Sequence, residues 1–415
     1  MEGKKNSVLV VGFNTRPLAY SLNKAGYDVY VVDFFGDLDL YPYVKDSIII
    51  TKELKARYSS IKNNYQQFLA HYTIDLLNKY PDIENLIIAS GMDDHLEERK
   101  YILDKIKKKK DGTKSLNNNM SVMENARNIS KIYHTLNNLG YKVPISYELK
   151  KFEKLNKSLA HPFILKKIKS SGGINVFKIE NKEQLTFLIK KLEFKGYNSS
   201  NWLIQEYIEG IPVSCTTISN GTETKVITIN RQIIGLEYVN PPKQFMYCGN
   251  IVPGNLLNED NKLISEISIL LTNILGLRGI NGFDFVLRNH YPYLMEINPR
   301  IPGSIRASED SMNINLLDLH VKSFNQEKWN EIIEILNNQI CKKYVTKLIF
   351  FAPKEVPIDK IEKINNLKFI QDKSEPIKNM VKGEPVCSIL FSAKSFSESF
   401  FGALKIVDGI IKIIS

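Results

Sequence analysis

The apolar positions of this chain fall into short unbroken runs separated by stretches of helical period, so strands and helices are predicted to alternate from the start. Ser7–Val11 (SVLVV) reads as a buried strand, Leu18–Ala25 as a helix closed by Gly26, and Asp28–Val32 as a second strand ending at Asp33. This is a βαβ unit with a right-handed crossover. A further strand, Asn85–Ala89, leads through Ser90-Gly91-Met92-Asp93-Asp94-His95 into a helix over Leu96–Ile106. Asn117–Asn119 reads as a linker, followed by a helix over Ala126–Leu139 that stops at Gly140. Strands are then expected at Phe163–Lys166, Asn175–Ile179, Trp202–Ser214, Lys225–Asn230 and Gln232–Leu236. A long loop, Asn240–Pro253, precedes a helix over Asn261–Leu275; another helix lies around Ile314–Lys322, and strands return from Lys347 to Ala352.

The richest stretch is Gly282–Arg300, GFDFVLRNHYPYLMEINPR. Phe283–Leu287 and Tyr293–Asn298 form a hairpin signal around a polar turn. With the turn centred on His290, position 284 meets 296, 285 meets 295 and 286 meets 294. Alternation then places Phe283, Phe285, Leu287, Tyr293, Met295 and Ile297 on one face, and Asp284, Glu296 and Asn298 on the other. Like charges directly opposite destabilise a sheet. Either the hairpin is an ordinary exposed one, or a divalent cation joins the acids. Mg²⁺ takes hard oxygen ligands and phosphate oxygens in such a place. Arg300 could add a planar fork for phosphate or carboxylate.

Other candidates are more ambiguous. Lys166 ends a strand that runs into Ser170-Ser171-Gly172-Gly173, which is either a plain glycine hairpin or a turn whose N–H groups face an anion. Asp93 or Asp94, at a strand's carboxyl end, could face an amine-bearing substrate or could cap the next helix. Phe245 and Tyr247 in the long loop suggest a pocket wall. Arg306 could hold a substrate carboxylate. Cys248 lacks a histidine partner and is not expected to be a nucleophile.

Composition narrows the class without adding chemistry. The 415 residues carry a net charge of +11. The densest basic run, Lys105–Lys110, has no aromatic neighbours, so it reads as a solvated loop and no nucleic-acid partner is expected. Four scattered cysteines and six scattered histidines argue against a zinc site or a disulfide framework. No apolar run approaches a membrane span, and Val8–Val11 is too short for a signal peptide, so no membrane partner and a cytoplasmic location are expected. Neither G-x-G-x-x-G nor a Walker loop occurs.

Asp284 followed by Glu296-x-Asn298-x-Arg300 resembles the metal signature of the ATP-grasp superfamily of carboxylate–amine ligases. The resemblance extends over nearly the whole chain. VGFNTRPLAYSLNKAGYDVYVVDFFGDLDL is similar to the domain preceding the catalytic body in a group of archaeal and bacterial predicted ATP-dependent carboligases. Lys131 with LGYKVP resembles the element that opens the body and implies a lysine on the ATP phosphates. Lys166 and the turn Ser171-Gly172-Gly173 resemble the strand lysine and lid over the triphosphate, though Lys166-Lys167 replaces the usual Lys-Pro. WLIQEYIEGIPVS resembles the adenine hinge, with Glu206, Tyr207 and Ile208 at the ring and Glu209 as substitute for the ribose acid. GEPVCSIL resembles the terminal unit of biotin-carboxylase-like members, without a biotin attachment site.

The resemblance implies an α/β (α+β ATP-grasp) fold: a Rossmann-like domain over 1–118, a two-lobed body over 119–340 with a lid at about 150–215, and a small β-rich domain over 341–415. It implies ATP and one or two Mg²⁺ ions as cofactors, with Asp284, Glu296 and Asn298 as metal ligands. Lys166 and Arg300 would be catalytic. The reaction implied joins a small-molecule carboxylate to an amine through an acyl phosphate, releasing ADP and phosphate. Wording shared with archaeal amino-acid ligases, tyramine–glutamate ligases among them, points to cofactor or amino-acid-derived metabolite biosynthesis. A bicarbonate-activating enzyme and a non-catalytic ATP-binding regulator are the alternatives; a homodimer is compatible with each.

Overall fold

A computed structural model describes residues 6–107, 112–154, 160–169, 172–193 and 198–415. Among these residues the strands build three sheets. The first is parallel, in the order β3-β2-β1-β4-β5, from β1 (Ser7–Gly12), β2 (Asp28–Asp33), β3 (Asp46–Ile49), β4 (Asn85–Ile88) and β5 (Lys114–Ser115). Alternation along β1 decides what covers it. Leu9 and Val11 join the core under the helices Tyr65–Lys79 and Leu96–Lys107, while Val8 and Val10 share a core with Ile305, Leu316 and Trp329 from far down the chain.

The expected linker is a joint pinned by three neighbouring asparagines. Asn117 extends the first sheet beyond β5, accepting from Ile88 N at 2.8 Å and donating to Leu86 O at 3.0 Å. Asn118 is buried and donates to Asn281 Oδ1 at 2.7 Å and Pro299 O at 2.9 Å. Asn119 caps the helix Met120–Arg127, accepting from Val122 N at 2.9 Å. The helix expected over Ala126–Leu139 is two helices, Met120–Arg127 and Ile129–Asn138, with Asn128 capping the second.

The second sheet, ordered β6-β9-β7-β8, is a small antiparallel lobe: β6 (Ser146–Glu148), β7 (Phe163–Lys167), β8 (Val176–Ile179) and β9 (Trp202–Glu206). The third has eight strands in the order β14-β13-β10-β11-β12-β15-β17-β16. Its members are β10 (Ile211–Asn220), β11 (Thr224–Ile234), β12 (Tyr247–Val252), β13 (Arg278–Arg288), β14 (Tyr291–Asn298), β15 (Tyr344–Phe351), β16 (Ile370–Gln371) and β17 (Pro385–Ala393).

Several expectations change here. The run Trp202–Ser214 divides into β9 and β10, which lie in different sheets, so its middle is the hinge between lobes. The long loop shortens, because Tyr247–Val252 is an inner strand of the large sheet. The segment 341–415 forms no β-layer of its own. β15 pairs with β12, extending the large sheet, and the helices Ile358–Asn365 and Phe396–Ile414 cover the extension. On the other half of that sheet the helix Asn258–Leu275 buries Ile264, Ile267 and Leu271 against Phe283 and Phe285. No helix among the described residues is long and apolar enough to cross a membrane.

Candidate functional site

The face of the large sheet turned away from the Asn258–Leu275 helix, together with the small lobe, encloses a cavity of about 750 Å³. The β13–β14 hairpin supplies its acids. Asp284 pairs with Glu296 in the ladder, Gly282 pairs with Asn298, and all three polar side chains line the cavity. The expected register holds only to this point. A bulge after Asp284 sets Phe285 against Leu294 and Val286 against Tyr293. Leu294, not Tyr293 or Met295, is therefore the buried residue beside Ile297, and Met295 joins Glu296 on the cavity wall. One inserted residue resets the parity of a strand, and bulges re-aim side chains beside functional sites. The turn itself is Asn289-His290, with φ of 50° and 61°, the mirror-image geometry that two-residue hairpins use.

Burial and the charge of Glu296 push the Asp284 carboxyl up to about 7, although Asn298 and Gln232 donate to it at 2.9 and 2.8 Å. Two carboxylates and an amide oxygen facing one cavity are hard donors of the kind that suit Mg²⁺.

Cations converge on the acids from three elements. Lys166 points into the cavity from β7, whereas Lys167 is exposed. Burial and the nearby Arg127 charge lower the Lys166 ammonium to about 8, against the attraction of Glu296. Arg127, at the break between the two helices, donates through Nη1 to Glu296 and grips Asp94 with two 2.8 Å bonds. Burial alone would lower its pKa, but Glu296 and Asp94 raise it well above the usual range. Arg300 lines the cavity and donates to Asp93 Oδ2 at 2.7 Å and Ile301 O at 3.0 Å. Asp93 is buried; burial would raise its carboxyl, yet Arg300, Arg99 and Arg127 hold it low. Asp93 and Asp94, expected either to face an amine or to cap the next helix, each hold an arginine of the body.

Lys131 is not brought to the site. It is exposed on the Ile129–Asn138 helix, and its Nζ donates to Asn125 Oδ1 at 3.0 Å. The Asn128 break turns Arg127, not the lysine one turn later, toward Glu296. Sequence reading passed over Arg127 because it lies at the start of an apparently continuous helix.

The glycine turn closes over the cavity. Gly172 and Gly173 have φ of 66° and 77°, and a side chain on Gly173 would begin 1.8 Å from Phe245 O. Tyr247 N donates to Gly172 O at 3.4 Å, so the turn leans on the segment before β12, where Phe245 and Tyr247 do line the cavity. Ser171 lies outside the described residues.

At the hinge, Glu206, Tyr207 and Ile208 all line the cavity. The Glu206 carboxylate accepts from Ile145 N at 3.2 Å and lies 3.6 Å from Arg288, while its own N–H donates to Ile145 O at 2.7 Å. Glu209 is exposed and off the cavity wall, so the expected ribose acid is not there. Arg306 is also turned away: it pairs with Asp310 at 2.6 Å and lies 4.4 Å over the Tyr20 ring. Asn14, Gln232, Asn250 and Lys347 line the far end instead. None carries a motif; strand register groups the last three, and Asn14 joins them from the loop after β1.

Residues 126–304 match the family model of the ATP-grasp domain. That stretch, less than half of the chain, is similar to the ATP-grasp domain. An uncharacterized protein of Methanocaldococcus jannaschii is 29% identical over 398 residues, covering 94% of this chain and 88% of that protein. The tyramine–L-glutamate ligase of the same organism is 30% identical over 146 residues, 34% of this chain and 44% of the ligase. Less than half of that ligase's length is thus matched. In overall structure the chain resembles an L-amino acid ligase from Bacillus licheniformis, with a TM-score of 0.68, 16% identity and 98% of each chain covered. The ATP-grasp domain as matched begins at Ala126, beside Arg127, and ends at Ser304, just past the acid hairpin.

Proposed function

We propose that this protein joins a carboxylic acid to an amine at the expense of ATP. The observation that carries the reading is Asp284 facing Glu296 in one cavity with Lys166 and Arg300. ATP would lie with its base at the Glu206–Ile208 hinge and its phosphates under the Gly172–Gly173 turn. Asp284, Glu296 and Asn298 would hold Mg²⁺, one or two ions, which neutralises phosphate charge when bound. Lys166 places an ammonium against the phosphates, and Arg300, fixed by Asp93, orients the acid.

The carboxylate oxygen attacks the γ-phosphorus and the bond to the β-bridging oxygen breaks, giving an acyl phosphate and ADP. The amine nitrogen then attacks the acyl carbon, phosphate departs, and the nitrogen loses a proton. The protein's share is positioning and charge neutralisation in a water-poor cavity, which suits phosphoryl transfer. The finer reading is a cytoplasmic enzyme of cofactor or amino-acid-derived metabolite biosynthesis, acting on small molecules.

The test is ADP formation from ATP and Mg²⁺ across a panel of acids, with hydroxylamine trapping acyl phosphate as hydroxamate. Turnover should require an acid, and Glu296→Ala should reduce it by about 1,000-fold or more with the fold retained. Undiminished activity in that variant removes the metal assignment. Bicarbonate-dependent ADP formation with no amine replaces the ligase reading by a carboxylase one.

A further inference from the structure

The far end of the cavity is built around a buried lysine. Lys347, only 7% exposed, lies on β15 directly opposite Asn250 on β12, which in turn lies opposite Gln232 on β11. Ladder partners project from the same face with Cβ atoms about 5 Å apart. The three side chains therefore form a polar row across the cavity floor, and Gln232 links it to the acid pair through its 2.8 Å bond to Asp284.

Two donors in this row are underused. Lys347 Nζ donates to Gly303 O at 3.2 Å, which leaves two of its three N–H groups. Among the described residues no carboxylate lies within ion-pair distance of it. Asp372 and Asp37 attract it only at longer range, and Asp372 is already bound by Arg16 at 2.8 Å. Asn250, 1% exposed, accepts from Tyr247 OH at 2.9 Å through Oδ1, which orients its amide, and its Nδ2 has no partner. A buried ammonium beside an unpaired amide donor calls for an anion. Apart from Asp284, Glu296 and the hinge residue Glu206, no acid lines the cavity among the described residues, so nothing there suits a cationic head. Pro17, Leu18, Ile305 and Ile349 give an apolar stretch of wall for a carbon chain.

We propose that Lys347 and Asn250 bind a second anionic group on the acid substrate, so that the acid activated here is one with a negative charge at each end. This rests on the ligase reading above. Two strand spacings, about 10 Å, separate Gln232 from Lys347 along the sheet, so the substrate is a chain several bonds long.

The test is calorimetric titration of the full chain, saturated with ADP and Mg²⁺, with straight-chain dicarboxylic acids of graded length and their half-methyl esters. One length should bind about ten-fold or more tightly than its half-ester. Lys347→Met should bring that preference to within about two-fold, and Lys347→Arg should restore much of it. Asn250→Asp, equal in size, sets a carboxylate against the anion and should weaken the diacid even if the lysine variants fail to fold. Half-esters binding as well as every diacid, or an undiminished preference in both Lys347→Met and Asn250→Asp, overturns the proposal. Binding is read without turnover. Diacid selectivity in a chain that never forms hydroxamate faults the ligase reading alone, and hydroxamate formed without selectivity faults this proposal alone.

Discussion

Asn128 interrupts what the apolar spacing presents as one helix, and the interruption decides which cation reaches Glu296. Its side chain accepts from Lys131 N at 3.1 Å and so begins a new helix, which carries Lys131 outward and leaves Arg127 between Glu296 and Asp94. Arg127→Met should therefore lower kcat/KM for ATP by about 100-fold and shift the Mg²⁺ concentration giving half-maximal rate, since two partly buried carboxylates lose their shared partner. Lys131→Met should stay within about two-fold, as exposed charges generally do. Steady-state kinetics across a Mg²⁺ series checks both. At this scale the sequence was legible where residues act near one another: Asp284, Glu296 and Asn298 share a face by alternation alone. Arg127, Gln232 and Lys347 acquire meaning only from residues distant in sequence, and nothing in their immediate surroundings marks them.

Elements behaved similarly. The strands around the acid hairpin could be read from their period, but the bulge at Met295 could not, because a single extra residue leaves the local pattern looking regular. The division of Trp202–Ser214 between two sheets was hidden for the same reason: both halves are apolar, and only pairing separates them. The glycine turn gives the sharpest test. Gly173→Ala puts a methyl carbon onto the Phe245 carbonyl in a backbone conformation that L-residues avoid. The turn would have to lift from the segment before β12. KM for ATP should rise about ten-fold, and thermal unfolding should change little, because the small lobe has a core of its own around Leu165 and Ile204.

At the scale of the whole molecule, the three segments share cores more than the sequence suggested, and His320 lies at one such junction. Its Nδ1 accepts from Ile280 N at 3.0 Å and its Nε2–H donates to Leu116 O at 3.1 Å, so a second proton would face an N–H. Burial lowers its pKa to about 4. The unfolded chain, with an ordinary value near ~6.5, binds more protons between those limits, so stability falls as pH drops through that window. Between pH 7 and 5 the loss from His320 should be about 2 kcal/mol, read from urea unfolding midpoints. His320→Gln, which keeps one donor and one acceptor without titrating, should flatten that limb.

Asp93 and Asp94 carry the last consequence. Two consecutive acids from the first segment each neutralise an arginine that belongs to the body. A chimaera grafting a foreign first segment onto this body would keep its hinge, its glycine turn and its acid hairpin. Without two carboxylates delivered to this spot, Arg300 would lose its 2.7 Å partner and Arg127 would keep Glu296 alone, leaving two guanidinium charges at the seam with one acid between them.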